Sequence, residues 1–123
     1  MNCPARFRLA LSLIGLASAL LTACHSYHID ATIENRTGAP VELLEVDYPS
    51  ASFGADRLDT GAVFHYRFQI RGSGPITVSY TAPDGKTAHS SGPTLTEGQQ
   101  GQLQIVLLPG AKAQFLRQFT AGR

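Results

Sequence analysis

His25, His28, His65 and His89 are the only imidazoles in the chain. A zinc centre would need three or four of them to converge with a carboxylate. His25 and His28 stand three apart, which in an extended segment places them on opposite faces. His65 and His89 fall on the polar faces of predicted strands, so the expectation is solvated histidines, no metal and no cofactor. Asp47, Asp56 and Asp59 bracket an irregular stretch and could offer oxygens to calcium, but their spacing is not that of an EF-hand loop. Glu42 and Glu45 point to opposite faces of a strand and cannot serve as paired catalytic carboxylates. Gly72-Ser73-Gly74 reads as a hairpin turn, and no Gly-x-Ser-x-Gly elbow is present to raise a serine nucleophile. These readings point away from an enzyme.

The cysteines are more specific. Arg6 and Arg8 give the amino-terminal residues a positive end, and Leu9 to Leu20 follow without a charge. That is the charged n-region and short h-region of a secretory signal. It is too short for a membrane-spanning helix, which needs about 20 apolar residues. Leu21-Thr22-Ala23-Cys24 closes the run and resembles the lipobox of bacterial lipoproteins. The resemblance covers residues 1–24 alone. It implies removal of residues 1–23, a diacylglycerol on the Cys24 thiol and an acylated new amino terminus. Each buried methylene contributes roughly 0.8 kcal/mol, so two or more chains hold a protein firmly to a bilayer. His25 follows the cysteine where an Asp would resemble an inner-membrane retention signal. The expected address is therefore the periplasmic face of the outer membrane.

Composition narrows what lies behind the anchor. The signal takes Arg6, Arg8 and Cys3 with it, leaving eight basic residues against nine acidic ones. A near-neutral domain carries no nucleic-acid footprint and no polybasic membrane patch. With Cys24 occupied by lipid, no thiol remains for a disulfide, redox chemistry or a Cys-zinc site. The only methionine is Met1. An apolar core must hold the fold unaided.

That core is predicted to be β. After a tether at residues 24–26, Ser26 to Glu34 alternates apolar and polar, as a half-buried strand does. Asn35-Arg36-Thr37-Gly38 supplies a turn. In Val41 to Tyr48 the apolar positions switch from odd to even, which predicts either a β-bulge at Leu43-Leu44 or a leucine facing a second element. Pro49 to Gly61 reads as one long loop. Val63 to Arg71 sets Phe64, Tyr66, Phe68 and Ile70 against His65, Arg67, Gln69 and Arg71, and is expected to be the central strand. Ile76 to Thr81 alternates again, Pro83-Asp84-Gly85 turns, Lys86 to Ser91 reads as a polar edge strand, and Gly92 to Gly101 as turn-rich. Gln102 to Leu108 looks like an inner strand covered on both faces. Ala111, Phe115 and Phe119 lie four apart, which favours a short amphipathic helix over 111–123.

Six strands with turns at this cadence predict a small antiparallel β-sandwich over 27–110, immunoglobulin-like or transthyretin-like in shape, with a helical tail. The expected function is a non-enzymatic binding or structural module on the envelope. Its partners would be the lipid bilayer, through acylated Cys24, and an envelope protein or cell-wall component. Tyr48, Phe53 and Leu58, in or beside the long loop, are the expected partner-binding residues, with Phe115, Leu116 and Phe119 on the tail as a second apolar group. A periplasmic ligand- or metal-binding module using His28, His65 and His89 is the alternative, and a hydrolase built from distant residues the third reading.

Overall fold

The computed structural model describes residues 27–121. The signal segment, Cys24, His25 and the predicted tether lie outside them. The described residues form eight strands and no helix: β1 Ile29–Asn35, β2 Val41–Tyr48, β3 Ala51–Leu58, β4 Val63–Phe68, β5 Ser73–Thr81, β6 Thr87–Thr96, β7 Gln99–Leu108 and β8 Lys112–Ala121. Two four-stranded sheets stack face to face, ordered β4-β1-β7-β8 and β3-β2-β5-β6. Every pairing is antiparallel except β1 with β7, which run parallel. The predicted all-β sandwich is therefore present, with two more strands than expected.

The inward rows of the central strands make the core. Ile29, Ala31 and Ile33 of β1 and Leu103, Ile105 and Leu107 of β7 meet Val41, Leu44 and Val46 of β2 and Ile76, Val78 and Tyr80 of β5. The switch of phase in β2 is a bulge. Against β5, Leu43 and Leu44 together oppose the single residue Tyr80, and the register slips between Glu42 and Glu45. Leu43 sits at φ 51° and is 66 % exposed, while Leu44 turns into the core. The bulge lets Val41 and Leu44, three residues apart, share one face.

That bulge explains the first correction. Residues 49–61 are not a loop: Ala51–Leu58 pair with β2 in unbroken register, from Val41 opposite Leu58 to Tyr48 opposite Ala51. Because β3 follows β2 through its phase change, its own inward residues run Phe53, Ala55, Leu58 and lose strict alternation. Gly54 is required opposite the bulge, since a Cβ there would collide with the Leu44 carbonyl.

Three further expectations are corrected. Val63–Phe68 is an edge strand, paired only with β1. Its large inward residues close the side of the sandwich where β4 comes over β3, a gap that long aromatic side chains fill. Residues 92–96 are not a turn but the continuation of β6 past a second bulge, where Gly92 and Pro93 together oppose Ile76. The tail is a strand and not a helix, with Lys112 to Ala121 paired along the whole of β7. Its inward row is Ala113, Phe115, Arg117 and Phe119. Arg117 holds a place in that row by register but is exposed, and its charge hid the alternation.

Asn35 is the one buried polar residue among those described. Its Nδ2 donates to the carbonyls of Ala39 (2.8 Å), Leu58 (3.0 Å) and Asp59 (3.3 Å). Its Oδ1 accepts from the Thr37 amide (3.0 Å) and lies 2.7 Å from the Thr37 hydroxyl. One side chain thus ties the β1–β2 turn to the β3–β4 turn, and so one sheet to the other.

Candidate functional site

The outer face of the first sheet is a grid set by strand register. Arg67, Asp30, Gln102 and Gln118 form one row across β4, β1, β7 and β8, and His65, Thr32, Gln104 and Leu116 the next. Val63, Glu34, Val106 and Gln114 form the third. Alternation dictates this: each strand gives its other face to the core. The first two rows border a shallow recess of about 660 Å³.

Two ion pairs lie on this face, and exposed Arg117 borders the recess with no ion pair among the described residues. Asp30 stands 3.6 Å from Arg67, both well exposed, a geometry that contributes little to stability. Glu34 accepts a 2.6 Å hydrogen bond from Arg36, and that bond raises the arginine above its ordinary pKa. Between the pairs lie the amides Gln102, Gln104, Gln114 and Gln118, with Thr32, His65 and the exposed side chains of Val63 and Leu116. The face can donate and accept hydrogen bonds along a strand-length strip and offers a small apolar spot beside it. It presents neither a nucleophile–base pair nor a field of one charge sign.

The residues expected to bind a partner lie elsewhere. Phe53 is 7 % exposed and Leu58 5 %, both in the core, with Tyr48 packed against it. Phe53 stacks on Tyr66 at 4.2 Å between ring centroids and 15° between planes, within 5.6 Å of Phe68, 6.0 Å of Tyr48 and 6.2 Å of Phe64. This cluster plugs the β3–β4 side of the sandwich, so the residues read as a loop surface are interior. Burial, with Tyr66 adding to it, raises the Tyr48 phenol above its usual range, and burial raises Tyr80. On the tail, Phe115 and Phe119 pack inward, and Leu116 alone faces out.

The histidines do not gather. His65 is on the outer face of the first sheet, His89 is on β6 in the second, and His28 lies just before β1. Among the described residues, no three His, Cys, Asp or Glu side chains are placed to hold a metal ion. Asp59 pairs with Arg57 at 2.7 Å, and Arg57 lies 3.7 Å from Glu42, a surface ion network. Gly72 and Ser73 lead into β5, and the Gly72 amide donates to Glu97 (3.1 Å). The sequence reading missed the glutamines of β7 and β8. Gln102 and Gln104 alternate with Leu103 and Ile105, a signal visible once 99–121 is taken as a hairpin.

No family model matches the chain, and no curated protein matches it. A solved structure, the NMR structure of a protein from Eubacterium rectale, is similar to it with a TM-score of 0.53 at 14 % identity, over 72 % of this chain and 86 % of that one. The likeness is one of fold.

Proposed function

We propose that the chain is a lipid-anchored envelope protein whose β-sandwich acts as a non-enzymatic binding module, with the outer face of β4-β1-β7-β8 as its contact surface. The reading rests on the lipobox-like Leu21-Thr22-Ala23-Cys24 together with the position of β1. From Cys24 to Ile29 the chain can span at most roughly 18 Å. β1 is an interior strand of its sheet, so a leash this short holds the domain close to the lipid surface. The Gln102, Gln104 and Gln118 strip then runs along the sandwich wall, accessible to a neutral, hydrogen-bonding partner such as an envelope protein or a cell-wall polymer.

Of the two shapes considered, the strand order favours the transthyretin-like one. An immunoglobulin constant-type sandwich divides its strands four and three, with first and second strands in one sheet. Here the division is four and four, and β1 lies between β4 and β7.

Labelled palmitate incorporation tests the anchor: the natural chain should take up label and Cys24→Ser should not. A natural chain without label refutes the lipoprotein reading. Gln104→Arg tests the face, placing a charge in the middle of the strip without touching the core. In pull-downs from solubilised envelopes it should lose a partner that the natural chain retains. An unchanged partner set would rule out this face.

A further inference from the structure

The end of the sandwich where the chain enters β1 holds a second cluster of polar groups, which shares Arg67 with the first row of the glutamine strip. His28, Tyr48, Ser50, Tyr66, Arg67 and Arg71 border a recess of about 380 Å³. They come from four places in the fold: the residue before β1, the β2–β3 turn, the β4 edge and the segment after β4. No carboxylate borders this recess. Arg71 is exposed and makes no ion pair among the described residues, and Arg67 holds only its loose 3.6 Å pair with exposed Asp30. The nearest acid by strand register is Asp30, opposite Arg67, and it lines a neighbouring recess with His28 and Arg67 rather than this one. The His28 Nδ1 is buried without a hydrogen-bond partner, which is unusual enough to require an explanation. Tyr48 and Tyr66 both border the recess, and Tyr66 is 40 % exposed.

We infer that this recess is an oxyanion site for a phosphate group. Guanidinium groups match phosphate oxygens in geometry and charge, and charge-assisted hydrogen bonds are about twice as strong as neutral ones. Two arginines, two phenols, a serine hydroxyl and an imidazole approaching from four segments supply more donors than a planar carboxylate would use. The site lies at the end of the domain joined by the short leash to Cys24. A phospholipid headgroup and free phosphate share the chemistry it would recognise. Phosphate recognition stands without the anchor, and only the lipid as its source depends on the Cys24 reading.

The test is a side-chain NMR titration of the full chain in a neutral detergent, following His28, Arg67 and Arg71. Inorganic phosphate should move these signals saturably, and acetate at equal ionic strength should not. Arg71→Gln, beyond the end of β4, should weaken phosphate binding about tenfold with an unchanged backbone spectrum, and Arg67→Gln should weaken it too. Lys86→Gln, the same charge change at the β5–β6 turn, should leave it unaltered. The site is refuted if phosphate gives no saturable shift, if acetate matches it, or if Lys86→Gln weakens binding as much as Arg71→Gln. Doping the micelles with phosphatidylglycerol separates the sources. Displacement of inorganic phosphate identifies the headgroup as the ligand, and retention of bound phosphate identifies the free ion.

Discussion

Replacing Asn35 should cost more than any exposed substitution in the molecule and should make stability depend on pH in a known direction. Its side chain makes two donor bonds plus a third, longer contact, and accepts two more, at a position with no solvent exposure. Each neutral hydrogen bond contributes about 1 kcal/mol net, and stranding a buried partner costs about 1–3 kcal/mol. The Leu58 carbonyl is buried, whereas the Ala39 and Asp59 carbonyls and the Thr37 groups retain partial access to water. Asn35→Ala should therefore destabilise by about 3 kcal/mol, which for a domain of this size lowers Tm by about 15 °C. Asn35→Asp keeps the shape but turns an oxygen toward three carbonyls. Burial and those carbonyls both disfavour the carboxylate, so the folded-state pKa must lie above the unfolded value of about 3.9. A raised folded pKa means the protonated form is the stable one. Stability of the variant is retained below the unfolded pKa and lost as pH rises through the folded pKa. Urea midpoints followed by far-UV circular dichroism should show Asn35→Asp near the natural chain at pH 3.5 and progressively weaker toward pH 7. A loss below 1 kcal/mol for Asn35→Ala, or a deficit in Asn35→Asp that does not change with pH, would refute the clasp.

Phe53→Ala should cost about 3–5 kcal/mol, the usual range for emptying an aromatic core site, since four other rings pack around it. Thermal unfolding measures this, and a cost under 1 kcal/mol would mean that the ring is not part of the core. Leu43→Asn should raise stability by about 0.5–1 kcal/mol, because asparagine tolerates the left-handed backbone that a leucine adopts at a cost and little burial is lost at a side chain 66 % exposed. A drop in urea midpoint would show that the Leu43 side chain is held by contacts that its exposure does not suggest.

The sandwich was legible wherever alternation survived, in β1, in β5 and in the inward half of β7. It was hidden where a strand's period is broken by its neighbour. β3 inherits a phase change from the Leu43-Leu44 bulge, and nothing within residues 51–58 announces it, because the cause lies in β2. β6 is interrupted at Gly92-Pro93, residues that read as a turn. In the fold Gly92 makes room for a crossing aromatic, since a Cβ there would come within 2.7 Å of the Phe115 ring. β8 was obscured by one residue. Phe115 and Phe119 at a spacing of four fit a helix and also a strand, and Arg117 between them decided for the helix when read alone. Pairing with β7 decides for the strand.

The same logic governs the sites. A Phe in a loop reads as a surface anchor and the same Phe in an edge strand reads as core, so the error over β3 moved Phe53 from inside to outside. Functional groups on the outer face gave the opposite difficulty. Glutamines, a histidine and a threonine at alternating positions are what any solvated strand shows, and only register reveals that Asp30, Gln102 and Gln118 share a row. The recess at the chain-entry end needs more still, since its groups are brought together from residues 28, 48–50, 66–67 and 71 by the β2–β3 hairpin and the β4 edge. What distinguishes that recess physically from the one on the glutamine strip is that no carboxylate lines it, whereas Asp30 lines the other. On the strip, Arg67 and Arg36 meet Asp30 and Glu34. Around the recess, Arg71 makes no ion pair and the His28 Nδ1 no hydrogen bond among the described residues, and a lining without a carboxylate favours an anionic ligand. The two sites share only Arg67, so Gln104→Arg should leave phosphate binding unchanged while Arg71→Gln leaves the envelope partner in place.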